Sequence, residues 1–166
     1  MIANELLIDA FKRIRDVVIE TVDGLSVDDL AFRPNGSANS IAWLMWHLTR
    51  IQDDHISELA SKEQVWTKGW YERFGLSFEK NDTGYGHSSS DVSSVRASAK
   101  LLTGYFDAVY EETIEYVEKL VEHDYERVVD KRWDPPVTQA VRLISIVSDD
   151  LQHAGQAAYI RGLLNK

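Results

Sequence analysis

Towards the carboxy-terminal end of the chain, Asp149 and His153 stand four residues apart. On a helix that spacing brings both side chains out on one side, one turn apart. A carboxylate and an imidazole so placed are two metal-ligand donors. They do not complete a site, because a zinc-type ion with one open position takes three protein ligands. The third must come from another segment. The helical wheel gathers Arg142, Ser145, Gln152 and Gln156 into the same wedge, and from spacing alone a solvated stripe with an incidental Asp/His pair explains it equally well, since charged groups are mostly exposed.

The elements that would have to position a third donor come next. Leu6, Leu7, Ala10, Phe11, Ile14, Val17 and Val18 give a first helix from about Ala3 to Val22. Ser26 to Asp29 reads as a capped short turn, and Arg33-Pro34-Asn35-Gly36 as a breaker. Asn39 or Ser40 caps a second helix to about Ala60, with Ile41, Leu44, Met45, Leu48 and Ile51 as its apolar stripe. This helix carries His47 and His55, both near that stripe, and the wheel does not choose between them. A core histidine satisfied by one hydrogen bond is the plain alternative for either.

Residues 61–90 lose the periodicity but hold Trp66, Trp70, Tyr71, Phe74 and Phe78. So much apolar surface predicts an ordered lid or wall, not a solvated linker. Within it, His87 in Gly84-Tyr85-Gly86-His87 reads as a surface-loop histidine or a pocket residue. A third helix, expected to be the longest, spans about Asp91 to His123, where His123 would offset the helix dipole. Tyr125 to Asp130 permits a short extended segment before the break at Pro135-Pro136. A last helix then runs to about Leu164, and its apolar positions wrap so much of the circumference that it is expected to be central. Four long helices and one long crossover loop make an all-α four-helix bundle, read as a single domain over residues 1–166.

Composition excludes several functions. A net charge of −9 disfavours binding to a phosphate backbone, so no nucleic acid is expected. No apolar run approaches a membrane span, no export signal is read at the amino terminus, and a cytoplasmic location follows as the expectation. With no Cys there is neither a thiolate nucleophile nor a thiolate ligand, so a transition-metal site must use His and carboxylates.

Ser40 to Leu48, which contains His47, and Asp149 to Gly162, which contains His153-Ala154-Gly155-Gln156 and Tyr159-Ile160-Arg161, carry a resemblance. The chain resembles the DinB-like superfamily over nearly its whole length. That superfamily includes the metal-binding domain of mycothiol-dependent maleylpyruvate isomerase and the bacillithiol transferases. The resemblance implies a metal-binding four-helix bundle in which His47, and not His55, joins Asp149 and His153 as ligands. Many members have His at the position of Asp149, and the isomerase-like branch has Glu. A homodimer is also implied. Two imidazoles and a carboxylate suit zinc first, and also nickel, iron or manganese.

The function expected from this set is a divalent-metal-dependent enzyme, a thiol S-transferase or isomerase acting on a small-molecule substrate with a low-molecular-weight thiol. A metal-dependent hydrolase, or a non-enzymatic stress or interaction protein on the same bundle, are the alternatives, because fold does not fix function. Candidates for proton transfer are Asp54, His55 and Glu58. Candidates for substrate contact are Arg161, Arg142, Trp43, Trp70, Tyr85 and His87. Ala154-Gly155 reads as a pair of small residues for close helix packing.

Overall fold

Local signals set the helix boundaries in the computed structural model, which describes residues 2–165. Helix α1 (Ile2–Val22) buries Leu7, Phe11, Ile14 and Val18 at helical spacing. Ser26 and Asp29 form a capping box on the short α2 (Val27–Ala31). The Ser40 hydroxyl accepts from the Trp43 amide to start α3 (Ile41–Ala60), and Ser61 ends it in the left-handed conformation. The crossover that follows is ordered, with a 3-10 turn at Val65–Thr67, then α4 (Trp70–Phe74) and α5 (Ser89–Ser94). Helix α6 (Ala99–Glu118) begins at the Ser98 cap. A 3-10 turn at Glu122–Glu126 leads into β1 (Val128–Asp130), which pairs antiparallel with β2 (Val137–Thr138). Helix α7 (Gln139–Leu163) starts at the Thr138 cap.

Terminal contacts define the helix directions. The Asn4 side chain donates to the carbonyls of Val117 and Leu120, so α1 and α6 run antiparallel. Arg161 donates to the carbonyls of Glu20, Thr21 and Asp23, so α7 ends where α1 ends. Tyr116 donates to the Leu59 carbonyl, which places the ends of α3 and α6 together. The bundle is up-down-down-up, and two parallel helices in sequence need the long connection over residues 61–98. The all-α four-helix bundle with one long crossover is therefore the observed fold.

Three expectations change. Residues 91–123 do not form one helix: the chain breaks at Val95-Arg96-Ala97, two helices with separate Ser caps replace it, and α7 is the longest element. His123 lies beyond α6 in an exposed 3-10 turn beside Asp124 and caps no long helix. The central helix is α3, in which every residue from Ile41 to Asp53 is buried, because the bundle covers one side and the crossover the other. On α7, Val141, Ile144 and Leu151 face outward. Ala154 packs into the core while Gly155 is exposed.

One core group stands out. Asp150 is 0% exposed, and neither carboxylate oxygen has a partner among the described residues. Burial, reinforced by the charge of Asp149, pushes its carboxyl well above the usual range. A carboxyl raised in the folded state stabilises fully only below its unfolded value of about 3.9, and that contribution is lost as pH rises towards the folded value. Asp150→Asn, which cannot ionise, is expected to melt close to the parent near pH 4 and to exceed it increasingly towards neutrality, by up to about 1.4 kcal/mol per pH unit. Thermal melts of both proteins across that range check this, and a constant difference would contradict it.

Candidate metal centre

Antiparallel packing of α3 against α7 brings His47 to Asp149 and His153. One donor atom from each lies within 4.8 Å of the others, near enough to hold one ion. His47 is 3% exposed, and its ring lies 5.0 Å from that of His153. His153 Nε2 stands 3.5 Å from Asp149 Oδ1.

Outer contacts fix which nitrogen each imidazole presents. His47 Nδ1 is 2.5 Å from the Thr83 carbonyl, which can only accept, so Nδ1 carries the proton and Nε2 keeps its lone pair. His153 Nδ1 is 3.0 Å from Gln156 Oε1, which orients it in the same way. Imidazole ligands of metals are held by this kind of outer hydrogen bond. Asp149 Oδ2 is buried and has no partner among the described residues. Two lone pairs and a carboxylate oxygen thus converge, and the residues present fit a divalent ion.

The two imidazoles are tuned in opposite directions. Burial lowers the pKa of His47, with the Thr83 hydrogen bond opposing it. The Asp149 contact raises that of His153 against a smaller burial penalty. Desolvation favours the neutral form of His47, whereas Asp149 strengthens the hold of His153 on a proton, with which a bound ion would have to compete.

Aromatic rings wall the cluster. Trp43 stacks on His47 at 4.6 Å and 16° and meets His153 edge-on. Tyr85 meets His47 edge-on at 5.5 Å and is 70% exposed, which leaves it at the mouth. His87 lies behind Trp43, buried and hydrogen-bonded, and does not face the cluster. Trp70 packs on Tyr105, towards α6.

The other candidates are elsewhere. His55 follows His47 by about two turns of α3, roughly 12 Å along the axis. There it meets Arg142, whose other nitrogen bonds Asp130. Burial first, and then Arg142, lower the His55 pKa. Asp54 accepts from Gln64, and Glu58 is exposed. Arg161 is occupied by the carbonyls at the end of α1.

Sequence reasoning missed the turn that orients His47. Asp82 accepts from the Gly84 amide, and Gly84 takes φ +99°, where a Cβ would stand 2.8 Å from His47 Nδ1 and 3.1 Å from a Trp43 ring atom. The two glycines of Gly84-Tyr85-Gly86 are the signal that could have found the turn, but a backbone carbonyl as partner leaves no trace in residue types.

A family model described as "MST: Mycothiol-S-transferase" matches residues 6–166. No curated protein matches. Among solved structures, "the conserved protein of locus from Enterococcus faecalis" shares 32% identity and superposes with a TM-score of 0.91 over 98% of this chain and 97% of that one.

The Gly84 geometry yields a direct test. Gly84→Ala combines an unfavourable backbone region with a contact against His47, and is expected to destabilise the protein by about 1–3 kcal/mol. Denaturant melts measure it; an unchanged midpoint would show that the turn adapts freely.

Proposed function

The chain belongs to the mycothiol-S-transferase family of the DinB-like superfamily, and from that premise we propose that it is a divalent-metal-dependent S-transferase that joins a small-molecule thiol to an electrophile. The observation that carries the reading is the convergence of His47, Asp149 and His153 inside a chain that matches the family over almost its full length. Because the chain has no Cys, the reacting sulfur is that of the cosubstrate.

His47 and His153 would hold the ion through Nε2, with Asp149 supplying one negative charge. Three protein ligands leave a position for the thiol. A divalent ion, when bound, supplies Lewis acidity that favours thiolate over thiol at neutral pH. Zinc suits the donor set first, with nickel, iron or manganese as alternatives. In the transfer, the thiol proton leaves to solvent, the sulfur forms a bond to the electrophilic carbon, and the leaving group departs with its electron pair. Trp43 keeps one flank of the ligands dry and immobile. Tyr85, exposed at the mouth, contacts the incoming substrate.

Two experiments test the reading. Metal analysis of purified protein is expected to find a divalent ion in the parent and to find it lost in His47→Ala and His153→Ala, together with turnover of an electrophile such as monobromobimane in the presence of mycothiol or bacillithiol. Undiminished metal in both variants would sink the ligand set. The second concerns pH. A proton on His153 competes with the ion, so zinc affinity should fall as pH drops through the His153 titration, which Asp149 raises. Asp149→Asn should weaken binding at every pH and also move the midpoint of that fall to lower pH. Chelator competition between about pH 5 and pH 8, the range over which histidine changes charge, reads both effects.

A further inference from the structure

His87 is 7% exposed on its side chain although it sits in the crossover loop. Its ring stacks on Trp46 at 5.6 Å and 16° and lies 4.4 Å from Phe78. Both ring nitrogens are nevertheless engaged. The Trp43 indole N–H, which can only donate, gives a 3.1 Å hydrogen bond to His87 Nδ1. Nδ1 is therefore the acceptor, Nε2 carries the proton, and Nε2 donates to Asp82 Oδ2 at 3.1 Å.

These two bonds reach both groups that flank His47. Trp43 covers the face of the His47 ring. Asp82 opens the turn whose next residue, Thr83, offers the carbonyl that accepts from His47 Nδ1. The other carboxylate oxygen of Asp82 takes the Gly84 amide, and its backbone carbonyl is held by the buried Arg50 at 3.1 Å. The Thr83 carbonyl is thus pinned from both sides, and His87 ties the turn to the indole through its two hydrogen bonds.

We propose that His87 is a positioning residue of the metal centre, bracing Trp43 and the Asp82–Gly84 turn so that His47 is held as the Nδ1–H tautomer with Nε2 presented to the ion. The inference rests on the reading of His47 as a ligand, and it assigns to His87 neither substrate contact nor proton transfer. Loss of a ligand's direct outer partner weakens metal binding by about ten- to a hundredfold; His87 acts one contact further out, through Trp43 and Asp82, so a loss near the lower end of that range is expected.

The test uses full-length protein stripped of metal and titrated with zinc against a chromophoric chelator. It is combined with nitrogen-15 NMR of the His47 ring in the metal-free protein. His87→Phe keeps a ring between Trp46 and Phe78 but loses both hydrogen bonds. It is expected to lose zinc affinity by about tenfold and to show a mixture of His47 tautomers, where the parent shows a protonated Nδ1. His87→Gln, whose amide oxygen can accept from Trp43 while its nitrogen donates to Asp82, should recover most of both. Parent-like zinc affinity and parent-like His47 tautomer in His87→Phe would overturn the proposal. If His87→Phe does not fold, Asp82→Asn removes the same link at the surface end, and an unchanged tautomer there is equally decisive. A parent that binds no zinc would defeat the ligand reading, while the tautomer comparison would still decide the role of His87.

Discussion

The burial of Arg50 at 0% exposure, one turn beyond His47 on α3, is the constraint on which the rest of the structure depends. Removing a partner from a buried ion pair costs about 3–5 kcal/mol, so the surroundings of this guanidinium must be built to fit it. Asp53 Oδ2 stands 3.6 Å from Arg50 Nη1, and the Tyr105 hydroxyl bridges the two, accepting from Arg50 and donating to Asp53. Burial and the Asp53 charge push the Tyr105 phenol well above its ordinary pKa, which keeps it a donor. Gln64 and the Asp82 carbonyl take further guanidinium hydrogens, and the Trp66 ring lies beneath the charge at 5.0 Å. Asp53 in turn accepts from the backbone amides of Val65 and Trp66.

The crossover is fastened by that network, and the candidate metal centre is anchored through it. A connection joining two parallel helices could have been a loose strap. Here its start is bonded to Asp53, its middle packs Trp66 and Phe74 against Tyr105, and its Asp82 carbonyl is tied to Arg50. The turn that orients His47 therefore belongs to the same buried unit as the helix that carries His47. A ligand and its outer hydrogen-bond acceptor come from distant stretches of chain, yet one cation on the ligand's own helix sets the distance between them.

The bundle was legible because its signals are local. Apolar spacing marked α1, α3, α6 and α7, and of the two residues that could cap α3, Asn39 and Ser40, the structure uses Ser40. The α6 boundary was lost because Val95 and Ala99 continue the apolar spacing across a segment that the caps at Ser88 and Ser98 divide into two helices. The centrality of α3 was hidden for a different reason: its apolar stripe says nothing of the polar residues Arg50, Gln52 and Asp53, whose burial only long-range partners make possible. At the site, the four-residue spacing of Asp149 and His153 was visible, but the choice of His47 over His55 came from resemblance. Both sit on the α3 face that meets α7, and antiparallel packing decides which one meets Asp149. Thr83 acts through its backbone, so no reading of side chains would find it.

A charge argument connects the donor set to the proposed chemistry. In the proposed site the two imidazoles would bind as neutral ligands, and Asp149 would bring one negative charge. A divalent ion held there would therefore leave a single positive charge at a half-buried position walled by Trp43. Low-dielectric surroundings penalise net charge, and one thiolate removes it. Three histidines in the same geometry would leave the centre positive after the thiol had bound; two carboxylates would leave it neutral beforehand and weaken the pull on a thiol proton. Asp149 thus fits a reaction whose ligand is a monoanion. The same carboxylate raises the proton affinity of His153, so the charge balance of the proposed centre and the competition from protons at low pH both depend on one side chain.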